Sequence, residues 1–226
     1  MSDFFQKGIN YYVPGALAAT GIGNDDLYSV DIGLPITTSA TAISTAGAIT
    51  NVANAALAIA SLPYEIAGTF GRNILVAGKT GGDNAVVTVS GEDYLGQPMR
   101  ETFTLNGTSS VVGGKAFKRV TKIGIAAGNA NASSTMDVGL GLKFGLPFCT
   151  HKLLAYSVDG ADTAIPTLNA PSLTDPQTAA TADARGTVTL ATGDINGVKK
   201  NVLIGRVNRA LNTAGNGGIY GLPHLA

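Results

Sequence analysis

Residues 71–147 contain a series of short runs in which apolar and polar side chains alternate, and turn residues separate the runs. In residues 99–105, for example, Met99, Phe103 and Leu105 share one parity with Glu101, while an arginine and two threonines occupy the other. Because successive side chains of a β-strand point to opposite faces, this pattern predicts a strand with one mainly apolar face. Close spacing of such runs is typical of an antiparallel β-sandwich or barrel. The sequence therefore predicts a mainly β chain with long loops.

Further strands are predicted on both sides of Pro147. Residues 73–77 and 85–90 are short β-branched runs, and the glycine-rich stretch between them is interpreted as a hairpin turn. Residues 115–125 are interpreted as a single half-buried strand, although Arg119 interrupts its alternation. Additional strand patterns occur at residues 138–144, 153–158, 186–190 and 201–207.

The chain is divided by its composition into three segments. Residues 1–68 are predicted to hold an extended N-terminal arm, up to about residue 35, followed by an Ala/Thr-rich segment. In that segment, Val52–Ala60 fits a short helix or a pair of strands nearly equally well. Residues 69–147 are the predicted β core. Residues 148–226 are predicted to be a second β portion, with a long extended loop over residues 162–185 and a glycine-punctuated tail.

The predicted arm is rich in aromatic residues that need a partner surface. An extended segment loses conformational entropy when it is fixed, and burial of aromatic rings is the available compensation. A neighbouring subunit is the expected source of that burial. The predicted partner-contact residues are Phe4, Phe5, Tyr11, Tyr12 and Tyr28.

Charge is scarce in this chain, since only 13% of its residues are charged and they sum to a formal net charge of zero. A charge-poor surface favours a protein that is covered in an assembly, although a Gly/Ala-rich secreted or surface protein would look similar. Duplex binding typically needs about 6–10 phosphate contacts from a clustered basic face, so no nucleic-acid partner is expected. The first residues lack the order of a signal peptide, and the longest apolar stretch falls short of the roughly 20 residues that cross a bilayer. A soluble protein without a membrane partner is predicted.

The candidate nucleophile, phosphate-binding and metal-binding motifs of this chain lack the arrangement that their chemistry requires. Residues 78–80 resemble the end of a phosphate-binding loop, but the preceding glycine and the following helix are missing, which favours a turn. Cys149 lies two residues before His151, just after Pro147, and is interpreted as a buried apolar side chain. With His224 as the only other histidine, neither a three-histidine nor a cysteine-rich zinc site can be assembled.

Pairs of acidic residues occur in turn contexts, where carboxylates usually accept hydrogen bonds from backbone amides. This interpretation applies to Asp25 with Asp26 and to Glu92 with Asp93. The stretch from Asp194 lacks the glycine and glutamate of a calcium loop and is also interpreted as a turn. The sequence predicts no catalytic, cofactor-binding or metal-binding residues, and hence a protein that is not an enzyme and uses no cofactor.

Three stretches resemble virion proteins of tailed bacteriophages, specifically the head decoration or cement proteins. They are residues 84–93 continuing into 100–103, residues 113–123, and residues 183–187. The resemblance implies a structural protein, a homotrimer, that binds the major capsid protein and copies of itself and so stabilises the capsid. It also implies assembly in the cytoplasm of the host bacterium and a final position on the capsid exterior of the virion.

Two other functions remain open at this point. Another virion component, from the tail or the connector, could share the same glycine-rich β composition. A surface carbohydrate-binding or adhesive module is the second alternative, although the chain has no tryptophan and an aromatic share of only 6%. Sugar sites commonly use aromatic faces, so this composition weakens the second alternative.

Overall fold

The computed structural model describes residues 9–10, 27–49, 55–56, 62–127, 134–172 and 182–207. These residues form sixteen strands in three sheets, in which every strand pair is antiparallel. The only helical element among them is a single 3-10 turn at Thr192–Asp194. The predicted mainly β, antiparallel class is confirmed, and the sheets curve into a half-barrel.

The central sheet is built around a twelve-residue strand, β11, that is buried along most of its length. Its strand order is β14-β15-β11-β6-β9, and β3 pairs with the first half of β11. The strands of the central sheet are β3 (Ser39–Ile49), β6 (Arg72–Gly78), β9 (Val111–Phe117), β11 (Ser134–Gly145), β14 (Thr167–Asn169) and β15 (Thr187–Thr189).

The front sheet packs against the central sheet through the alternate apolar side chains that its strands point inward. Its order is β4-β10-β7-β8, and β5 pairs with the start of β10. In β8, Met99 and Phe103 are buried as the alternation predicts, and Glu101 is buried with them. The strands of the front sheet are β4 (Ala55–Ala56), β5 (Tyr64–Glu65), β7 (Val86–Glu92), β8 (Pro98–Thr104) and β10 (Arg119–Ala127).

The end sheet covers a second apolar core beside the first. Phe144, Leu146 and Val188 contribute to this core from the central sheet and its connections, and Val30 and Leu203 from the end sheet. The order of the end sheet is β1-β2-β16-β12-β13. Its strands are β1 (Ile9–Asn10), β2 (Leu27–Gly33), β12 (Thr150–Val158), β13 (Ala161–Asp162) and β16 (Asn201–Val207).

The single strand predicted over residues 115–125 is wrong, because the chain turns a corner at Lys118. β9 belongs to the central sheet and β10 to the front sheet. The backbone amide of Lys118 donates to the carbonyl of Glu92, and its ammonium donates to the carbonyls of Ile66 and Gly68. The corner therefore lets Phe117 and Ile123 enter the same core from two different sheets.

The predicted hairpin between residues 73–77 and 85–90 is also wrong, although the turn itself is present. The Asp83 carboxylate accepts hydrogen bonds from the amides of Lys79 and Thr80, at 3.0 and 2.9 Å. β6 and β7 do not pair, since they belong to different sheets. This turn thus transfers the chain from the central sheet to the front sheet.

The three predicted segments are interleaved in the structure. The central sheet takes β3 from residues 1–68, β6, β9 and β11 from residues 69–147, and β14 and β15 from residues 148–226. β2, which was predicted to lie in the arm, pairs with β16 inside the end sheet. Residues 1–8 and 11–26 of the arm lie outside the described residues, as does most of the Val52–Ala60 segment, of which Ala55–Ala56 forms β4.

Candidate functional site

Two buried ionisable side chains connect β8, the last strand of the front sheet, to β9, the last strand of the central sheet. Glu101 on β8 accepts hydrogen bonds at Oε1 from the amides of Gly114 and Lys115 on β9, at 2.6 and 3.4 Å. In return, the Lys115 ammonium donates to the carbonyl of Arg100 on β8, at 2.6 Å. Each strand thus supplies an ionisable side chain that hydrogen-bonds to the backbone of the other. We call Glu101 and Lys115 the edge clasp.

In the edge clasp, the hydrogen-bonding capacity of Glu101 is only partly satisfied, because its Oε2 atom is buried without a hydrogen-bond partner. Burial raises the pKa of Glu101 to about 8, although the amides of Gly114 and Lys115 and the charge of Lys115 lower it. The carboxylate of Asp183 acts in the same direction as burial. Glu101 therefore favours the protonated form in a pH range where an exposed glutamate is ionised.

This shift predicts that the free energy of unfolding decreases as pH rises from about 5 to about 8. In this window the folded chain holds a proton that the unfolded chain, with a glutamate pKa near 4.5, has already released. The expected contribution is a slope of up to about 1.4 kcal/mol per pH unit. Urea unfolding at several pH values measures this slope, and the Glu101→Gln variant is expected to abolish it.

The matched control is Glu65→Gln, because the Glu65 carboxylate lies at the surface, beside Arg119, with 64% of its side chain exposed. This variant should keep the wild-type slope and change stability by less than about 1 kcal/mol. If Glu101→Gln and wild type have parallel stability profiles between pH 5 and pH 8, the buried, protonated Glu101 is disproved.

A buried ion pair connects the β7–β8 hairpin to the segment before β15. The Arg185 guanidinium donates to the Asp93 carboxylate at 2.6 Å, and both side chains are almost completely buried. The other oxygen of Asp93 accepts from the amides of Leu95 and Gln97, both at 2.8 Å, which confirms the predicted turn role of Asp93. The Arg185 guanidinium also lies over the Tyr94 ring, 4.8 Å from its centroid. These contacts make the pair part of the framework.

Asp183 links this ion pair to the edge clasp. One of its carboxylate oxygens accepts from the amide of Ala116 at 3.0 Å, and the other accepts from the amide of Arg185 at 2.9 Å. Three successive amides of β9, at residues 114–116, therefore donate to buried carboxylates. The charged groups inside this part of the molecule hold strands and turns in place.

The prediction that Cys149 is a buried side chain is confirmed. Its thiol donates to the carbonyl of Ala184. Burial raises the pKa of this thiol to about 11. His151 is exposed, so its imidazole does not share the environment of the thiol. The Asp194 turn is likewise present, with the Asn196 side chain accepting from the amides of Val198 and Lys199.

Of the predicted partner-contact residues, Tyr28 is the one that the structure describes. Its ring is fully buried in the second core and makes an edge-to-face contact with Phe148, at 5.5 Å between centroids. Its hydroxyl is hydrogen-bonded to the Thr150 hydroxyl, and burial raises its pKa. This chain's own core therefore supplies the burial that was assigned to a neighbouring subunit. Phe4, Phe5, Tyr11 and Tyr12 lie outside the described residues.

An exposed apolar patch lies where the β2–β3 connection meets the loop before β16. Leu34, Ile36 and Val198 are 56%, 44% and 73% exposed, respectively. The two loops are tied together by a hydrogen bond from the Gly197 amide to the Pro35 carbonyl, at 2.9 Å. We call Leu34, Ile36 and Val198 the apolar patch.

The loop that carries Leu34 and Ile36 is anchored by Arg72, whose side chain is buried in the central sheet. The Arg72 guanidinium donates to the carbonyls of Ile36, at 2.8 Å, and of Gly141, and lies 4.7 Å from the Phe144 ring centroid. Burial lowers the pKa of Arg72 to about 10, which still leaves it cationic at neutral pH. The sequence did not predict this patch, because its residues lie on two loops that are more than 150 residues apart along the chain.

Comparisons of the chain with protein-family models, with curated proteins and with solved structures found no match. Within the described ranges, no group of three or more His, Cys, Asp or Glu residues is placed to hold a metal ion. The same ranges contain no helix long and apolar enough to cross a membrane. The fold and the site thus define an all-β, antiparallel protein with charged groups inside its framework and an exposed apolar patch.

Proposed function

We propose that this chain is a structural virion protein of a bacteriophage, which decorates and stabilises the capsid by binding the major capsid protein and copies of itself. The observation that carries the proposal is the apolar patch, formed by Leu34, Ile36 and Val198 on loops that are fixed to the framework. Exposed apolar clusters on rigid elements are typical of protein-binding surfaces. The choice of a phage capsid as the assembly rests on the resemblance of three sequence stretches to phage decoration proteins.

The roles of the charged groups support a non-catalytic function. Asp93, Asp183 and Arg185 hold the hairpin and β9, while Glu101 and Lys115 join the two sheets. Catalytic acids and bases generally lie in clefts where a substrate can reach them. In this framework the perturbed carboxyl of Glu101 faces the backbone of β9.

The low charge of the chain supports an assembled state. A subunit that spends its lifetime beside neighbours needs fewer charges for solubility than a free monomer does. A few residues near the centre of such an interface typically contribute most of its binding energy. Leu34, Ile36 and Val198 are the described residues best placed for this role.

The test is a triple variant, Leu34→Ser, Ile36→Ser and Val198→Ser, assayed for binding to phage particles that lack the protein. We expect its affinity in a co-sedimentation assay to fall by at least about tenfold, because interface anchors commonly contribute more than 1 kcal/mol each. The bound particles should also lose the heat resistance that the wild-type protein confers.

Ile165→Ser is the matched control, since Ile165 is 50% exposed but lies in a different loop. It should bind particles like the wild type. A triple variant that is folded and binds with unchanged affinity would contradict the proposed role of the patch. Imaging of particles carrying the wild-type protein distinguishes a position on the head from one on the tail or connector.

A further inference from the structure

A groove of about 380 Å³ lies on the outer face of the front sheet, and none of the apolar-patch residues lines it. Its lining includes Arg100 on β8, Thr88 and Ser90 on β7, and Lys122 and Gly124 on β10. Its volume falls within the range typical of small-molecule sites, about 300–1,000 Å³.

The register of the front sheet explains how these residues come together. Ser90 is the cross-strand partner of both Arg100 and Lys122, so the three side chains form one row on the outer face. Neighbouring strands lie about 4.8 Å apart, which places the two cationic residues roughly 10 Å from each other at their backbones. One hydroxyl side chain lies between two cationic ones.

The floor of the groove is formed by the next row of cross-strand partners in the same sheet. Thr88 pairs with Gly124 on β10 and with Thr102 on β8. Because Gly124 has no side chain, the sheet surface is lowered beside Ser90 and Lys122, while Thr88 adds a second hydroxyl. On the opposite side of the row that contains Ser90, the next outward-facing residue of β7 is Glu92, whose carboxylate lies 3.6 Å from the Arg119 guanidinium.

We propose that this groove binds a tetrahedral oxyanion, a phosphate or sulfate group, between Arg100 and Lys122. A guanidinium has five N–H donors, so Arg100 can donate to such an anion in addition to the contacts it already makes, and an ammonium adds a second positive charge. The Ser90 and Thr88 hydroxyls can donate to the remaining oxygens from the floor. A tetrahedral group uses donors arriving from several directions better than a planar carboxylate does.

The size and charge of the groove limit the ligand to one or two anionic groups. Non-specific nucleic-acid binding usually recruits about 6–10 phosphate contacts, and single-stranded sites add aromatic stacking platforms. Among the residues that the structure describes, this lining contains two cationic side chains and no aromatic ring. The groove therefore fits inorganic phosphate or sulfate, or a phosphate or sulfate ester of a small polar molecule such as a sugar.

The experiment is a titration of the full chain with inorganic phosphate, and separately with sulfate, followed by backbone amide NMR at low ionic strength. Low salt is needed because the cationic side chains lie at the surface, where screening is effective. We expect saturable shifts of the Ser90, Lys122 and Gly124 amides. Arg100→Gln and Lys122→Gln should each weaken binding by about tenfold, since each removes a charge-assisted contact.

Lys152→Gln is the matched control, because Lys152 is an exposed lysine on β12 in the end sheet. It should leave the phosphate affinity unchanged, and unfolding curves establish that all three variants are folded. Glucose 6-phosphate tested against glucose distinguishes an ester from the free ion as the better ligand, and glucose alone should cause no shift.

Two results would overturn the proposal. The first is a phosphate response that does not saturate, or that persists unchanged in the Arg100→Gln, Lys122→Gln double variant. The second is a short oligothymidine that binds this face more than about 100-fold tighter than phosphate, which would indicate a nucleic-acid surface instead. Because the groove lies apart from Leu34, Ile36 and Val198, neither result bears on the proposed capsid contact.

Discussion

Replacing Arg185 with methionine is expected to lower the free energy of unfolding by about 3–5 kcal/mol, because a buried carboxylate then loses its cation. Burial alone lowers the pKa of Arg185, but the carboxylates of Asp183 and Asp93 raise it by more, so the guanidinium stays charged. Methionine can fill part of the space beside Tyr94 but donates no hydrogen bond to Asp93. Urea unfolding at neutral pH measures the loss.

The same substitution at Arg119 provides the control, because Arg119 also lies beside two carboxylates, those of Glu65 and Glu92, at 2.8 and 3.6 Å. The Arg119 side chain is 37% exposed, and an ion pair in contact with solvent contributes about 1 kcal/mol or less. We expect Arg119→Met to cost no more than that. Equal losses for the two variants would show that burial does not set the strength of the Arg185 pair.

Gly139→Ala is the second substitution with a large expected effect, a loss of about 3 kcal/mol or more. A Cβ atom at Gly139, in the middle of β11, would overlap the backbone carbonyl groups of Ser39 and Ala40 on β3. Backbone atoms of a paired strand cannot rotate aside as a side chain can. The variant should therefore separate β3 from β11 and lower the thermal unfolding midpoint by at least about 5 °C.

Gly193→Ala is the control for this glycine, because a Cβ atom at Gly193 would meet no atom within 4 Å. Alanine at an open, compatible site reduces the entropy of the unfolded chain, so stability should stay the same or increase by up to about 1 kcal/mol. A Gly139→Ala variant that melts with the wild type would mean that β3 does not lie against β11 as described.

The sequence predicts those parts of the fold that depend on side-chain alternation within one strand. In β8, for example, alternation predicts that Met99, Glu101 and Phe103 share one face, and all three are buried. The sequence does not predict the path where long-range contacts decide it. At Arg119 the alternation is interrupted, but this local break does not indicate that the chain passes from the central sheet to the front sheet at the Lys118 corner. The carbonyls that hold this corner belong to Glu92, Ile66 and Gly68, at least 26 residues away along the chain.

The candidate sites were less predictable than the fold, because they depend on register. The row of Arg100, Ser90 and Lys122 exists only once three strands are aligned. The apolar patch similarly needs the hydrogen bond between Gly197 and Pro35. By contrast, the turn role of Asp93 could be predicted, because an aspartate two residues before a turn amide is a local signal.

The three carboxylate-bound amides of β9 also restrict how copies of this chain can meet. An uncovered strand at the end of a sheet is a template on which another chain can add a strand, and repeated addition leads to fibres. At β9 an incoming strand would have to displace the carboxylates of Glu101 and Asp183 and leave them buried without their donors. Addition of a strand from another chain is therefore disfavoured at this edge.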